Sequence, residues 1–240
     1  MDFILNFFDI NNTFFTLLDY PMSYLEFFGT IFNLICVWLV ARNNIWNWPI
    51  GILGVVLFAV LFYQIQLYSD LIEQFYFLIT GFYGWWAWWY YKNKDKQKTE
   101  KKEFLITRNK LWQNGLYAGI TIIGTLLMGY IMGHIHLYFP NFFQVPASYP
   151  YLDAFTTVLS FVATILIIYK KIDCWPIWIV VDIIGVGLYF AKGVVFVSLL
   201  YFIFLILASK GLYNWYKIYK SYEKNKGSSD RKIPTASQRT

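Results

Sequence analysis

A chain of 240 residues with 58% hydrophobic and only 14% charged residues cannot cover itself with a water-facing surface, which excludes an ordinary soluble domain. Its net charge of +6 sits in short basic blocks between apolar runs, so it reads as a membrane-orientation signal and not as a nucleic-acid face. Aromatic residues make up 22%, a share suited to membrane–water boundaries, where a ring sits half buried with its polar atom wet.

Phe3 to Leu18 is apolar but broken by Asn6, Asp9, Asn11 and Asn12, and no basic region precedes a cleavable apolar core. An interfacial helix is expected there, within an N-terminal segment 1–22. A bilayer core of about 30 Å needs roughly 20 apolar residues in a helix. Runs of that kind cover 23–41, 46–66, 71–91, 115–136, 152–169, 174–191 and 195–217. The fold class is therefore an all-α integral membrane protein with seven spans. A charged connector, 92–114, follows the third span, and a polar tail, 218–240, closes the chain, with Gly227 to Thr240 expected to be disordered. All Lys and Arg except Lys192 and Lys210 fall on one side of this bundle. The positive-inside rule then predicts an outer N-terminus and a cytoplasmic C-terminus.

Sliding the chain by 127 positions lays Trp48-Pro49-Ile50 on Trp175-Pro176-Ile177. The same shift pairs Tyr24-Leu25 with Tyr151-Leu152, Phe75 with Phe202, Phe77 with Phe204, Gly84 with Gly211 and Trp88 with Trp215. One gapless offset over about 68 residues makes two three-helix units, 23–91 and 150–217, with span four as linker. A single linking span restores the original direction, so the two units run parallel. The three-one-three order is similar to that of sugar-carrying SWEET proteins in architecture alone.

Asn47-Trp48-Pro49-Ile50-Gly51 opens a helix that ends in Gln64-Ile65-Gln66-Leu67-Tyr68. Gln74 and Phe82-Tyr83-Gly84-Trp85-Trp86-Ala87-Trp88 follow. Over residues 20–217 this pattern resembles the PnuC family of nicotinamide riboside transporters, within a wider Pnu group that carries other vitamins. The resemblance implies facilitated diffusion of a vitamin precursor across a bacterial inner membrane, trapping by a cytoplasmic kinase, and assembly as a homotrimer. Departures from the family pattern are Asp182 and Cys174, where Asn is usual, and Lys192, where Gln is common.

Polar groups at membrane depth are costly and call for a reason. Trp175, Trp178, Asp182, Gly185 and Tyr189 share one helical face. A carboxylate among aromatic rings would seat a flat cation such as a pyridinium or thiazolium; the other reading is an ion pair with Lys210 at similar depth. Gln74, whose repeat mate is Tyr201, either orients a cargo amide or hydroxyl or bonds another helix. Asn47 is either a helix cap or a ligand contact. Gln64 stands near the outer end, in reach of water. The expected substrate-contacting set is Asn47, Gln64, Gln74, Tyr83, Trp85, Trp178, Asp182 and Tyr201.

Cofactor and metal sites are not expected. Cys36 and Cys174 have no second cysteine at ligand spacing, and His134 with His136 form a lone H-x-H at the end of span four, read as interfacial loop. No phosphate loop or hydrolase motif occurs. The expected partners are a small vitamin, the lipid bilayer and a downstream kinase. Competing readings are a thiamine or other vitamin carrier and, from another class, a membrane enzyme or sensor.

Overall fold

The computed structural model describes residues 7–17, 20–64, 68–97, 105–140, 149–191 and 195–230. Gln66, Lys192, the middle of the connector and the tail past Asp230 lie outside the described residues. Seven long helices follow one another: α1 (Tyr24–Ala41), α2 (Asn47–Gln64), α3 (Tyr68–Gln97), α4 (Leu111–Tyr138), α5 (Pro150–Ile168), α6 (Cys174–Ala191) and α7 (Val195–Asp230). All but α3 are long and apolar enough to cross a membrane. Along α3 tryptophan and tyrosine replace aliphatic residues, which lowers its hydropathy, yet it holds the repeat position of α7.

Two readings of the chain ends are corrected. Of the expected interfacial helix, residues 3–6 and Leu18 lie outside the described residues, and Thr13–Leu17 is instead a strand, β1, paired antiparallel with β2 (Tyr20–Ser23) from Thr13↔Ser23 to Leu17↔Tyr20. The β-branched and aromatic run Thr13-Phe14-Phe15-Thr16 favours a strand over a helix, and apolarity alone did not distinguish them. At the other end α7 continues to Asp230, beyond Gly227. Its tail carries Lys217, Lys220, Lys224 and Lys226, and a hydrogen bond from Tyr219 Oη to Glu223 Oε1 (2.6 Å) spans one helical turn there.

Ser23 starts α1 with a capping box: its hydroxyl accepts from the Glu26 amide (3.2 Å) while its own amide donates to Glu26 Oε2 (2.9 Å). α1 ends at a left-handed residue, Asn43 (φ 52°), and α5 ends at its repeat mate, Lys170 (φ 51°). In both corners the left-handed residue donates back three positions, Asn43 to Val40 (2.8 Å) and Lys170 to Ile167 (3.0 Å). The next residue donates back five, Asn44 to Leu39 (3.0 Å) and Lys171 to Leu166 (2.8 Å). Pro49 and Pro176 then stand in the first turns of α2 and α6, where no intrahelical donor is lost.

Helices pack in the circuit α1–α2–α3–α5–α6–α7 and back to α1, while α4 leans on α5. The two joins between repeats are alike. Trp88 Nε1 of α3 donates to the Ile168 carbonyl of α5 (3.0 Å), and Trp215 Nε1 of α7 donates to the Val40 carbonyl of α1 (2.9 Å). Trp48 meets Trp88 edge to face at 5.5 Å and 86°; Trp175 meets Trp215 at the same distance and angle. The Trp48 ring lies on Gly84 and the Trp175 ring on Gly211, leaving no room for a Cβ at either. These four tryptophans, with Ile106 from the connector, form one buried cluster at the basic end of the ring.

Candidate functional site

The polar groups of interest sit farther along the ring, away from the tryptophan cluster. Asp182 stands eight residues into α6, about 12 Å from its start at ~1.5 Å per residue. It is 3% exposed. Among the described residues its carboxylate has no hydrogen-bond donor and no ion pair, and Lys210 is exposed on α7. The internal pair with Lys210 is therefore absent. Burying a carboxylate without a partner costs several kcal/mol, so Asp182 has no packing rationale.

One turn away, the Trp178 indole N–H is buried without an acceptor. One turn the other way, Gly185 lets the Tyr201 ring of α7 lie directly on the α6 backbone, and Tyr189 stacks on Tyr201 at 5.3 Å and 17°. Trp178 and Asp182 thus lie one turn apart on one face of α6, with the stacked pair Tyr201 and Tyr189 over Gly185 in the next turn. Gly185 was named in the sequence only as a member of this face; its cradle for Tyr201 needed the neighbouring helix to be seen.

Gln74 of α3 is buried, and its amide makes no hydrogen bond among the described residues. Its repeat mate Tyr201 lies at the height of Gly185, three residues from Asp182. Trp85 is eleven residues from Gln74, three turns along the same face, and is 39% exposed.

Three members of the expected set are placed otherwise. Gln64 accepts from the Ile10 amide (3.1 Å) and donates to the Phe8 carbonyl, tethering the N-terminal segment to α2. Asn47 is buried and donates from Nδ2 to the Asn44 carbonyl (2.6 Å), closing its own corner. Tyr83 lies with Ile79, Phe82 and Trp86 on the exposed face of α3 and meets the Tyr169 hydroxyl at 3.5 Å. His134 and His136 belong to the last turns of α4, not to a loop. His134 is held by the Tyr130 carbonyl (2.9 Å), and residues two apart on a helix point to different sides.

Among the described residues no group of three or more His, Cys, Asp or Glu could hold a metal. A membrane-embedded helical ring with unpaired polar groups lined by aromatics has the make-up of a solute transporter. Residues 23–217 match the sequence model of one family, and the chain belongs to it: the nicotinamide mononucleotide transporters.

Individual relatives agree. The chain is 28% identical over 210 residues to the nicotinamide riboside transporter PnuC of Escherichia coli, covering 82% of this chain and 86% of that one. It is 26% identical over 214 residues to the riboflavin/roseoflavin transporter RibM of Streptomyces davaonensis, covering 86% and 91%. The crystal structure of the vitamin B3 transporter PnuC superposes with a TM-score of 0.63 at 26% identity, covering 84% of each chain. These relatives are transporters, so the enzyme reading is set aside.

Proposed function

We propose that this protein moves nicotinamide riboside through the helical ring by facilitated diffusion, across a bacterial inner membrane. The cargo binds between the two repeats, with Asp182, Trp178, Tyr201, Gln74 and Trp85 as its contacts. The single observation that carries this reading is Asp182, buried and unpartnered among the described residues, on a face of α6 shared with Trp178 and Tyr189. A positively charged ring supplies the missing partner, and the tyrosine and tryptophan faces add attraction for the same charge. Gln74 offers both a donor and an acceptor to a carboxamide or a ribose hydroxyl. The two copies rock about this site, opening it alternately to each side, and phosphorylation by a cytoplasmic kinase keeps the cargo from returning.

The basic end, with Arg42, Lys170 and Lys171, faces the cytoplasm, and the N-terminal hairpin lies outside. Gly115 and Gly119 face open space four residues apart on α4, a surface that suits close approach of another helix in a homotrimer.

Binding of nicotinamide riboside, thiamine and riboflavin to the purified protein tests the cargo. Preference for nicotinamide riboside supports the proposal; saturable binding of riboflavin alone sinks it. Thiamine is the second reading, favoured by the same carboxylate, since its thiazolium is also a permanent cation. Uptake into liposomes that persists after proton and sodium gradients are collapsed supports passive transport, and its abolition defeats it.

A further inference from the structure

On the exposed side of α7, reaching to Asn214 at the edge of the α1 contact, lies an open hollow of about 470 Å³ lined by Leu205, Ile206, Ser209, Lys210, Tyr213 and Asn214. Lys210 is its one cation. It makes no hydrogen bond or ion pair among the described residues. Two neighbours fix its height: Trp215 donates to Val40 (2.9 Å) and Asn214 to Ala41 (3.5 Å), at the very end of α1. Lys210 is one turn farther in, about 7 Å inside the level at which the chain leaves the apolar layer. A lysine stem of that length lies along apolar surface while its ammonium reaches headgroup height.

Packing of the ring does not require this charge. The repeat mate of Lys210 is Tyr83, and the mate of Lys217 is Tyr90. α3 presents Tyr83, Trp86 and Tyr90 there, with Trp86 stacked on Tyr90 at 5.5 Å. On α7 the same face runs Lys210, Lys217, Lys220 and Lys224 at helical spacing, all of them exposed. We infer that the α7 hollow is a seat for one anionic phospholipid, with its phosphate at Lys210 and an acyl chain along Leu205 and Ile206. The argument for this occupant is charge and position together. The hollow opens on the exposed side of a membrane-spanning helix, its apolar half lies farther from the basic end, and the stem of its lysine is long enough to carry the ammonium to the depth of lipid phosphates. Ser209 and Tyr213 add hydroxyls beside the ammonium, and Ser209 Oγ, which donates to Leu205 (2.8 Å), still has lone pairs for a phosphate-bound water.

Native mass spectrometry of the full chain in detergent with phosphatidylglycerol or phosphatidylcholine tests the assignment. Phosphatidylglycerol should be retained over phosphatidylcholine, Lys210→Gln should weaken that retention about fivefold, and Lys210→Arg should restore it. Equal retention of both lipids by the unaltered protein overturns the inference and needs no variant. So does unchanged retention in Lys210→Gln. Loss of oligomer in Lys210→Gln with lipid retention intact also overturns it, giving the face to a second copy. Binding of inorganic phosphate to lipid-free protein with the same Lys210 dependence overturns it in favour of a free anion. Because the cargo contacts lie on other residues, cargo affinity should not change in either variant, which keeps failure here separate from failure of the proposed cargo.

Discussion

The two repeats agree at the basic end and differ in the middle of the membrane. At the basic end the left-handed corners, the tryptophan–glycine contacts and the indole-to-carbonyl bonds recur at an offset of 127, with the acceptor carbonyl displaced by one residue. Farther along, the same offset pairs unlike residues: Val55 with Asp182, Phe58 with Gly185, Gln74 with Tyr201, and Gly51 with Trp178. At two of these pairs, Phe58 with Gly185 and Gly51 with Trp178, large and small residues change places. A frame benefits from symmetry, because one packing solution serves twice. A cargo with distinct ends cannot be read by identical walls, so the walls have diverged where they would meet it.

Substitutions can test both halves of this contrast. The largest effect is expected at Gly211→Val, which drives a side chain into the Trp175 ring. Overpacking of this kind costs about 1–3 kcal/mol or more, and Gly84→Val should cost a similar amount. Thermal unfolding of the purified variants measures both. A large loss in one with none in the other would break the equivalence of the frames. Next comes Asp182→Asn, expected to weaken a cationic cargo about tenfold or more and a neutral analogue far less. Equal weakening in titrations with both would remove Asp182 from the charge contact. Trp88→Phe and Trp215→Phe each remove one indole donor from a buried carbonyl and should each cost about 1 kcal/mol. Unequal costs would show that the two joins, alike in geometry, are unlike in strain. Gln64→Ala should change cargo affinity least, less than about twofold, while amide exchange at Ile10 accelerates because its acceptor is gone. A large loss of affinity would return Gln64 to the cargo site.

Much of the frame was legible in the sequence. Trp-Pro at each second helix and Gly-x-x-x-Trp at each third helix are the residues that the corners and the tryptophan contacts use. The residue that ends α1 and α5 was less visible: Asn43 is a common left-handed residue, but Lys170 is not, and only the shared offset links them. The site was legible in part. Spacing put Trp178, Asp182 and Gly185 on one face of α6, but which side chain meets them depends on α7. Spacing also admitted Lys210 as a partner for Asp182, but Gly211 is level with Trp175 and Tyr201 with Gly185, so Lys210 stands nearer the basic end than Asp182, and it is exposed. Gln64 invites a ligand role by its chemistry alone; its amide is taken up by Phe8 and Ile10, just before the hairpin, and spacing along α2 does not show that contact.

Ile106 gives the connector between α3 and α4 a mechanical meaning. It is 1% exposed, in one cluster with Val40 and Trp88 from the first copy and Ile168 and Trp175 from the second. Beside it Thr107 exchanges backbone bonds with the α5–α6 corner, donating to Lys170 and accepting from Ile172, both at 3.0 Å. A wedge shared by two halves must be drawn out before they can part at that end. If the two halves part at that end as proposed, this stretch of chain is a latch, and the work of opening includes wetting one isoleucine.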